Sequence, residues 1–473
     1  HRGRLRRERA VMSDLSIDTT DIPGLLVLHL PLHGDNRGWF KENWQREKMT
    51  ALGLPDFGPV QNNVSHNAQA GVTRGMHAEP WDKLVSVATG RILGAWVDLR
   101  DGNSFGNVVT VEMGPETAVF VPRGVANGYQ ALEDGTTYTY LVNDHWSAEA
   151  KKSYTFVNLA DPALGINWPI CVDQAELSEA DRHHPPLSGV IPFRKPRTVV
   201  LGSNGQLGKA LRPLLPDAEF TTRETLDLSN PASLGTFDWS GVGTIINAAA
   251  YTAVDAAEDP ANRATVWAAN VSGVAQLVRI AADRRATLVH VSSDYVFDGT
   301  KTLHNEDEAF SPLGIYGITK AAADEIVTAY PRHYVLRTSW VVGEGNNFVN
   351  TMASLARRGI SPQVVSDQHG RLTFTRDLAA AIIHLLTTGA PFGSYNISNE
   401  GPTQTWFDIA NEIFTLLGAD GTVTPTTAAE WGKGKDLAPR PEHSTLDLSR
   451  IEASGFTPAT TAHRLREHLG VTK

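Results

Sequence analysis

Near the middle of the chain, Thr198-Val199-Val200-Leu201 runs directly into Gly202-Ser203-Asn204-Gly205-Gln206-Leu207-Gly208. A short apolar run of this kind marks a strand buried on both faces of a parallel sheet. Parallel strands need crossovers of a dozen or more residues, usually helical, so this segment commits the C-terminal half to alternating strands and helices. The glycines are spaced G-x-x-G-x-x-G. They allow a tight turn and close approach of the backbone to a pyrophosphate, at a helix N-terminus whose free N–H groups favour anions. Gly202, Asn204, Gly205, Gln206, Leu207 and Gly208 are therefore the candidate dinucleotide contacts.

The alternation continues through strands at 244–247, 287–291 and 334–337 and helices around 266–284 and 319–330. It predicts a doubly wound, Rossmann-type α/β domain over 198–473, with a C-terminal substrate-binding portion. Before it the pattern differs. Short β-like runs at 25–30, 83–88, 92–99, 107–113, 118–122 and 136–142 are separated by Gly, Pro, Asn and Asp, which predicts an all-β sandwich or barrel over 13–184. Pro185, Pro186, Pro192 and Pro196 mark 185–197 as an extended linker. Residues 1–12, with Arg2, Arg4, Arg6, Arg7 and Arg9 ahead of Met12, read as a leader outside the fold.

Composition excludes several roles. Forty-two Lys and Arg against 52 Asp and Glu leave a net charge of −10, the wrong sign for a nucleic-acid binder. No apolar run reaches the length of a membrane span. Cys171 is the only cysteine, so no internal disulfide framework exists and a reducing, cytoplasmic compartment is expected.

Tyr316 and Lys320 stand one helical turn apart. An ammonium beside a phenol lowers its pKa and readies it to donate a proton to a ketone. Ten tyrosines and twelve lysines give about 0.25 such pairs by chance, so the pair alone is only suggestive. Its weight comes from Ser292-Ser293, placed at the end of the 287–291 strand, where hydroxyls face a ligand crevice. A Ser/Tyr/Lys set on this fold reads as a short-chain dehydrogenase/reductase. Arg223, just past the second strand, suits a 2′-phosphate, with Asp227 nearer the adenine, which favours NADPH and leaves NADH open.

Further segments sharpen this. Asn247 to Asp255, Ser293 to Gly299, Leu336 to Trp340, Asn347 to Val349, Asp367 to Gly370 and Arg440 to Ser444 resemble the dTDP-4-dehydrorhamnose reductase family, from about 198 to the end. The resemblance implies an extended short-chain reductase acting on the C4 ketone of a dTDP-6-deoxy-4-hexulose. It implies cofactor contacts at Ala248, Ala249 and Ala250, and substrate contacts at Tyr251, Val254, Trp340, Asn347 and Arg440. Ser293 stands where that family usually has Thr, which keeps the hydroxyl.

The N-terminal half is open, on its residues alone, to a lectin-like binding module, a metal-holding barrel or a second enzyme. The His77 strand has no second histidine two residues on, and Asn127 stands where a later one would be needed, so no metal is expected. Asp35 to Glu42, Gln61 to Asn63, Arg74 to His77, Asp98 to Arg100, Asp161 to Pro169 and Leu177 to Asp181 resemble the dTDP-4-dehydrorhamnose 3,5-epimerase family. That implies a cupin-like barrel in which His77 is the base, Asp181 orients it, Lys83 steadies an enolate oxygen and Tyr140 reprotonates the opposite face. Arg37 and Arg74 would grip the diphosphate, with Glu42, Gln61 and Asn63 toward the thymidine. Family members usually carry His at Asn127 and Tyr at Trp146, both near the sugar.

The combined expectation is a bifunctional dTDP-L-rhamnose enzyme. It would epimerise dTDP-4-dehydro-6-deoxyglucose and then reduce it, as a homodimer without nucleic-acid or membrane partners. The alternative is a reductase for another dTDP-deoxysugar, joined to a mono-epimerase or to a non-catalytic nucleotide-sugar-binding barrel.

Overall fold

In a computed structural model, residues 14–146 and 150–471 are described. The leader expected over residues 1–12 lies outside them. The chain divides into two compact units meeting between Lys195 and Pro196.

The first unit is a pair of antiparallel sheets. One has six strands in the order Ser16–Thr19, Leu26–His29, Thr117–Val121, Lys83–Thr89, Thr136–Val142, Gln61–Asn67. The other has five, in the order Thr155–Phe156, Thr73–Ala78, Val125–Ala131, Ile92–Asp98, Val108–Met113. Alternate residues of both sheets, among them Val85, Val119, Trp96 and Tyr129, fill the space between them. Gly75 and Gly128 let the two central strands of the second sheet approach closely. A Cβ on Gly75 would meet the Cα of Gly128 at 2.7 Å, and Gly75 has φ +117.

The proline-rich stretch is not a free linker along its whole length. Asn158 N–H donates to the Pro185 carbonyl at 2.8 Å, and Phe193 exchanges backbone hydrogen bonds with Leu99 and Asp101 at 2.7 and 2.9 Å. Proline removes ladder donors but leaves carbonyls and intervening N–H groups free to pair, so the segment stays on the sheet edge as far as Phe193.

The second unit has a six-stranded, all-parallel sheet in the order Glu219–Thr221, Arg197–Leu201, Val242–Asn247, Thr287–Ser293, His333–Thr338, Gly393–Ile397. Helices cover both faces. Gly273–Arg284 and Ile315–Thr328 pack on one side, Gln206–Leu211 and Thr375–Thr388 on the other. The order reverses between Arg197–Leu201 and Val242–Asn247, which opens a crevice at the carboxyl ends of those strands. A further layer built on helices Phe348–Arg357 and Trp406–Leu416 has its own core. The helix expected around 266–284 is interrupted by a π-helical turn, Ala268–Ser272. No helix among the described residues is long and apolar enough to cross a membrane.

Candidate active sites

In the first unit a cavity of about 670 Å³ opens between the two sheets. His77 enters it from strand Thr73–Ala78, and its Nε2 lies 2.8 Å from Asp181 Oδ1. Asp181 is on the short helix Glu179–Arg182, whose N-cap Ser178 Oγ accepts the Asp181 N–H. Burial raises the carboxyl's pKa. Hydrogen bonds from His184 and His77 outweigh that and hold it well below the usual carboxylate range. Tyr140 and Lys83 reach the same cavity from the opposite, six-stranded sheet. Burial, with Glu79 nearby, pushes the Tyr140 phenol up, so it stays protonated at neutral pH.

Lys83 is 3% exposed and ion-paired with Glu79, a partner that sequence reasoning missed. Arg74 lines the cavity and donates to Asn67 Oδ1 at 3.2 Å. Asn127 lies opposite His77 in the ladder, and its Oδ1 accepts from the Tyr138 hydroxyl at 3.2 Å.

The remaining candidates fall outside this cavity. Arg37 is exposed on the hairpin of His33–Asp35 and Gly38–Phe40 and folds back on Asp35. Glu42 pairs with Lys48. Gln61 donates to Asn63 Oδ1 and accepts the Trp146 N–H.

Sequence reasoning, with one histidine in view, also missed His184. Its Nε2 lies 3.1 Å from the same Asp181 oxygen that His77 contacts. The two prolines directly after it give this stretch the character of a linker. His77, Asp181 and His184 lie within metal-ligand reach of one another. Both imidazole nitrogens are hydrogen-bonded to the one carboxylate oxygen.

In the second unit a cavity of about 880 Å³ lies at the switch point. Gly205, Gln206, Leu207, Ala248, Ala249 and Ala250 form one wall. Gly202 and Gly208 shape the turn instead of lining it. A Cβ on Gly202 would meet Ala248 backbone at 2.8 Å, and one on Gly208 would meet the Gly202 carbonyl at 2.4 Å. Asn204 is exposed on the turn outside the lining. Gln206 Oε1 accepts from Gly343 N–H and Asn347 Nδ2, tying the glycine turn to residues 343–347. Arg223 is exposed, 3.7 Å from Asp227, which in turn accepts from Ser229.

Ser292, Ser293, Tyr316 and Lys320 all line this cavity. The expected lowering of the Tyr316 phenol by Lys320 is not what the arrangement gives. Burial, reinforced by Asp294, pushes the phenol up. The Lys320 ammonium donates to the Val291 carbonyl at 2.6 Å, and burial lowers its pKa to about 8. A protonated phenol still serves as proton donor. Ser293 Oγ donates to Asp294 Oδ1.

Val254, Trp340, Asn347 and Arg440 lie at the cavity wall. Trp340 stacks on Trp406 at 3.7 Å, and Arg440 grips Asp255 with two nitrogens. Arg440 also borders an adjoining, mainly apolar cavity of about 620 Å³ with Trp431 and Lys435. Tyr251 is absent from the lining, and its backbone is held by Asn270, which also donates to Thr319 Oγ1 on the Tyr316 helix. Asn270 sits in the π-turn and carries no signal in sequence beyond being polar within a helix.

A histidine–carboxylate pair facing a phenol between two sheets, and a Tyr–Lys pair beside serines at a parallel-sheet switch point, define a proton-transfer unit joined to a reductase-type unit. Residues 19–189 match the family model for dTDP-4-dehydrorhamnose 3,5-epimerase, and residues 196–471 match that for the RmlD substrate binding domain. The chain belongs to both families, one in each half. It is 55% identical over 179 residues to a protein RmlC homolog of Streptococcus pyogenes, covering 37% of this chain and 90% of that protein. It is 36% identical over 294 residues to the dTDP-4-dehydrorhamnose reductase of Aggregatibacter actinomycetemcomitans, covering 57% and 97%. The crystal structure of dTDP-4-dehydrorhamnose reductase from Bacillus anthracis in complex with NADP superposes with a TM-score of 0.54 at 30% identity, covering 59% and 99%.

Proposed function

We propose that this chain is a bifunctional enzyme of dTDP-L-rhamnose synthesis. Its cupin-like N-terminal half (13–184) epimerises dTDP-4-dehydro-6-deoxyglucose at C3 and C5, and its Rossmann-type, extended short-chain reductase half (198–473) reduces the C4 ketone with NADPH. The observation that carries the reading is the pairing of His77–Asp181 on one sheet with Tyr140 on the other. Protons beside a ketone are acidic because the electron pair left behind moves onto the carbonyl oxygen. His77 takes such a proton, and Asp181 stabilises the imidazolium formed. Lys83 faces the enolate oxygen, its charge shared with Glu79. Tyr140 returns a proton from the opposite face, which inverts the centre. Arg74 suits the diphosphate.

In the other half, the glycine turn and three alanines fit a dinucleotide, and Arg223 fits a 2′-phosphate. NADPH, when bound, supplies the hydride. Tyr316 donates the proton to the C4 oxygen, Ser292 and Ser293 orient that oxygen, and Lys320 holds positive charge beneath it. The apolar cavity beyond Arg440 suits the thymidine end. Reduction removes the epimerised ketone and so draws the first reaction forward.

The exposed hairpin bearing Arg37, Trp39 and Phe40 supports pairing of the N-terminal half with a second copy, giving a homodimer. A cytoplasmic location fits the free thiol of Cys171.

Incubation of the full chain with dTDP-4-dehydro-6-deoxyglucose in D₂O, without nicotinamide, is expected to place deuterium at C3 and C5. Label at one carbon alone identifies a mono-epimerase. No label makes the barrel a binding module and overturns the epimerase assignment.

A further inference from the structure

His77 and His184 address one atom. Asp181 Oδ1 lies 2.8 Å from His77 Nε2 and 3.1 Å from His184 Nε2, while Oδ2 accepts only a long contact from the Gly75 N–H at 3.4 Å. Neither imidazole has another side-chain hydrogen bond among the described residues. The rings stand edge to face with centroids 5.4 Å apart. Phe156 stacks flat on His184 at 4.5 Å and meets His77 edge-on at 5.5 Å, so one aromatic wall fixes both. The His184 backbone is pinned as well, since its carbonyl accepts from Asn158 Nδ2.

We propose that His184 is a positioning residue for the His77 base: by sharing Asp181 Oδ1, it sets how strongly that carboxylate favours an imidazolium at His77. The inference rests on the reading of His77 as the base. A hydrogen bond from neutral His184 draws on the carboxylate and leaves less for His77. A proton on His184 goes further, placing a like charge beside His77 within a half-buried cavity. A positive charge on either ring therefore opposes one on the other, through the oxygen they share.

Other charged or titratable groups face the pair from the packed elements. Arg74 lies on the His77 strand, Glu79 and Lys83 neutralise each other, and Tyr140, Tyr154, Glu176 and Lys151 line the cavity. On the Asp181 helix, Glu179 is exposed and contacts His183. None of these groups hydrogen-bonds to either ring.

The test is an imidazole ¹⁵N NMR titration of the full chain, with the two rings assigned by His77→Gln and His184→Gln. Wild-type His77 is expected to titrate in a broadened, two-step curve. In His184→Phe the curve becomes single-step and its midpoint rises by roughly one pH unit. His184→Gln, which keeps a neutral donor, falls between the two. The acid limb of deuterium exchange at C3 and C5 moves with the same shifts. At the foot of that limb His184→Phe is up to about tenfold slower, and where His77 is fully deprotonated it is at least as fast as wild type, because the carboxylate then favours the imidazolium more strongly.

An unchanged His77 midpoint in His184→Phe overturns the proposal, as does a uniform rate loss at every pH. If His184→Phe does not fold, a single-step His77 curve in the wild type is enough to overturn it. Coupled ring titrations in a wild type that exchanges no deuterium would sink the epimerase reading while leaving the coupling intact.

Discussion

Ser293 Oγ donates to Asp294 Oδ1 at 3.0 Å, and both residues are buried at the carboxyl end of strand Thr287–Ser293. Burial pushes the Asp294 carboxyl up to about 6, against the hydrogen bond from Ser293. The ordinary value is 3.8, so between these limits the folded state holds a proton that the unfolded chain releases. Stability contributed at this site therefore falls as pH rises from about 4 to 6, and the cost is complete above that window, at about 3 kcal/mol. Asp294→Asn removes the charge. Urea denaturation, monitored by the reductase half's tryptophans, is expected to show the variant more stable than wild type at pH 8 by up to about 3 kcal/mol, with the gap closing at pH 4.

Tyr316→Phe removes only the hydroxyl. NADPH oxidation with the epimerised ketone is expected to drop by about 10² to 10⁴ in kcat with little change in KM, because the lost group acts only as the proton moves. Deuterium incorporation by the first unit is expected to persist in the same preparation, which separates loss of chemistry from loss of folding.

Asp181→Asn leaves His77 without an anionic partner. Exchange at C3 and C5 is expected to fall by at least about 10²-fold. Because hydrogen bonds from His184 and His77 hold the Asp181 carboxyl low, its stabilising contribution is present above the ordinary value of 3.8 and is lost only as pH falls below it. Acid unfolding of the N-terminal half is accordingly expected to begin at higher pH in the variant, as measured by circular dichroism.

What the sequence disclosed and what it concealed divide along physical lines. Strands Lys83–Thr89, Ile92–Asp98, Thr117–Val121 and Thr136–Val142 are apolar enough to be read directly, and all four lie where expected. Gln61–Asn67, Thr73–Ala78 and Val125–Ala131 are invisible to pattern, because polar groups and glycines replace the apolar alternation there. Two of these strands carry Arg74, His77 and Asn127, so the site erased the signal of the elements that hold it. His184 is hidden because its contact with Asp181 is tertiary, and prolines beside it argue for a linker. In the reductase half the glycine turn and the Tyr316–Lys320 pair are readable as local spacing. The Lys320–Val291 contact spans 29 residues, and no spacing rule reports it.

Gly202→Ala tests the turn. Gly202 has φ +79, and an added Cβ would lie 2.8 Å from the Ala248 backbone, which cannot swing aside as a flexible side chain would. The variant is expected to lose roughly 1–3 kcal/mol of stability and to raise KM for NADPH, by thermal denaturation and steady-state kinetics.

Arg223→Ala tests cofactor choice. The guanidinium is 77% exposed and lies 3.7 Å from Asp227, so it keeps donors free for a 2′-phosphate at the end of strand Glu219–Thr221. Its removal takes away charge-assisted hydrogen bonds made to that phosphate alone, each worth about 1.5–3 kcal/mol. KM for NADPH is expected to rise by about ten- to a hundredfold, while KM for NADH stays near its wild-type value. Equal rises for both cofactors would place Arg223 against the shared adenosine or pyrophosphate, and no change would leave it a solvent-facing partner of Asp227. Fold stability is not at stake, because so exposed an ion pair contributes little to it. The kinetic ratio therefore reports the phosphate contact directly.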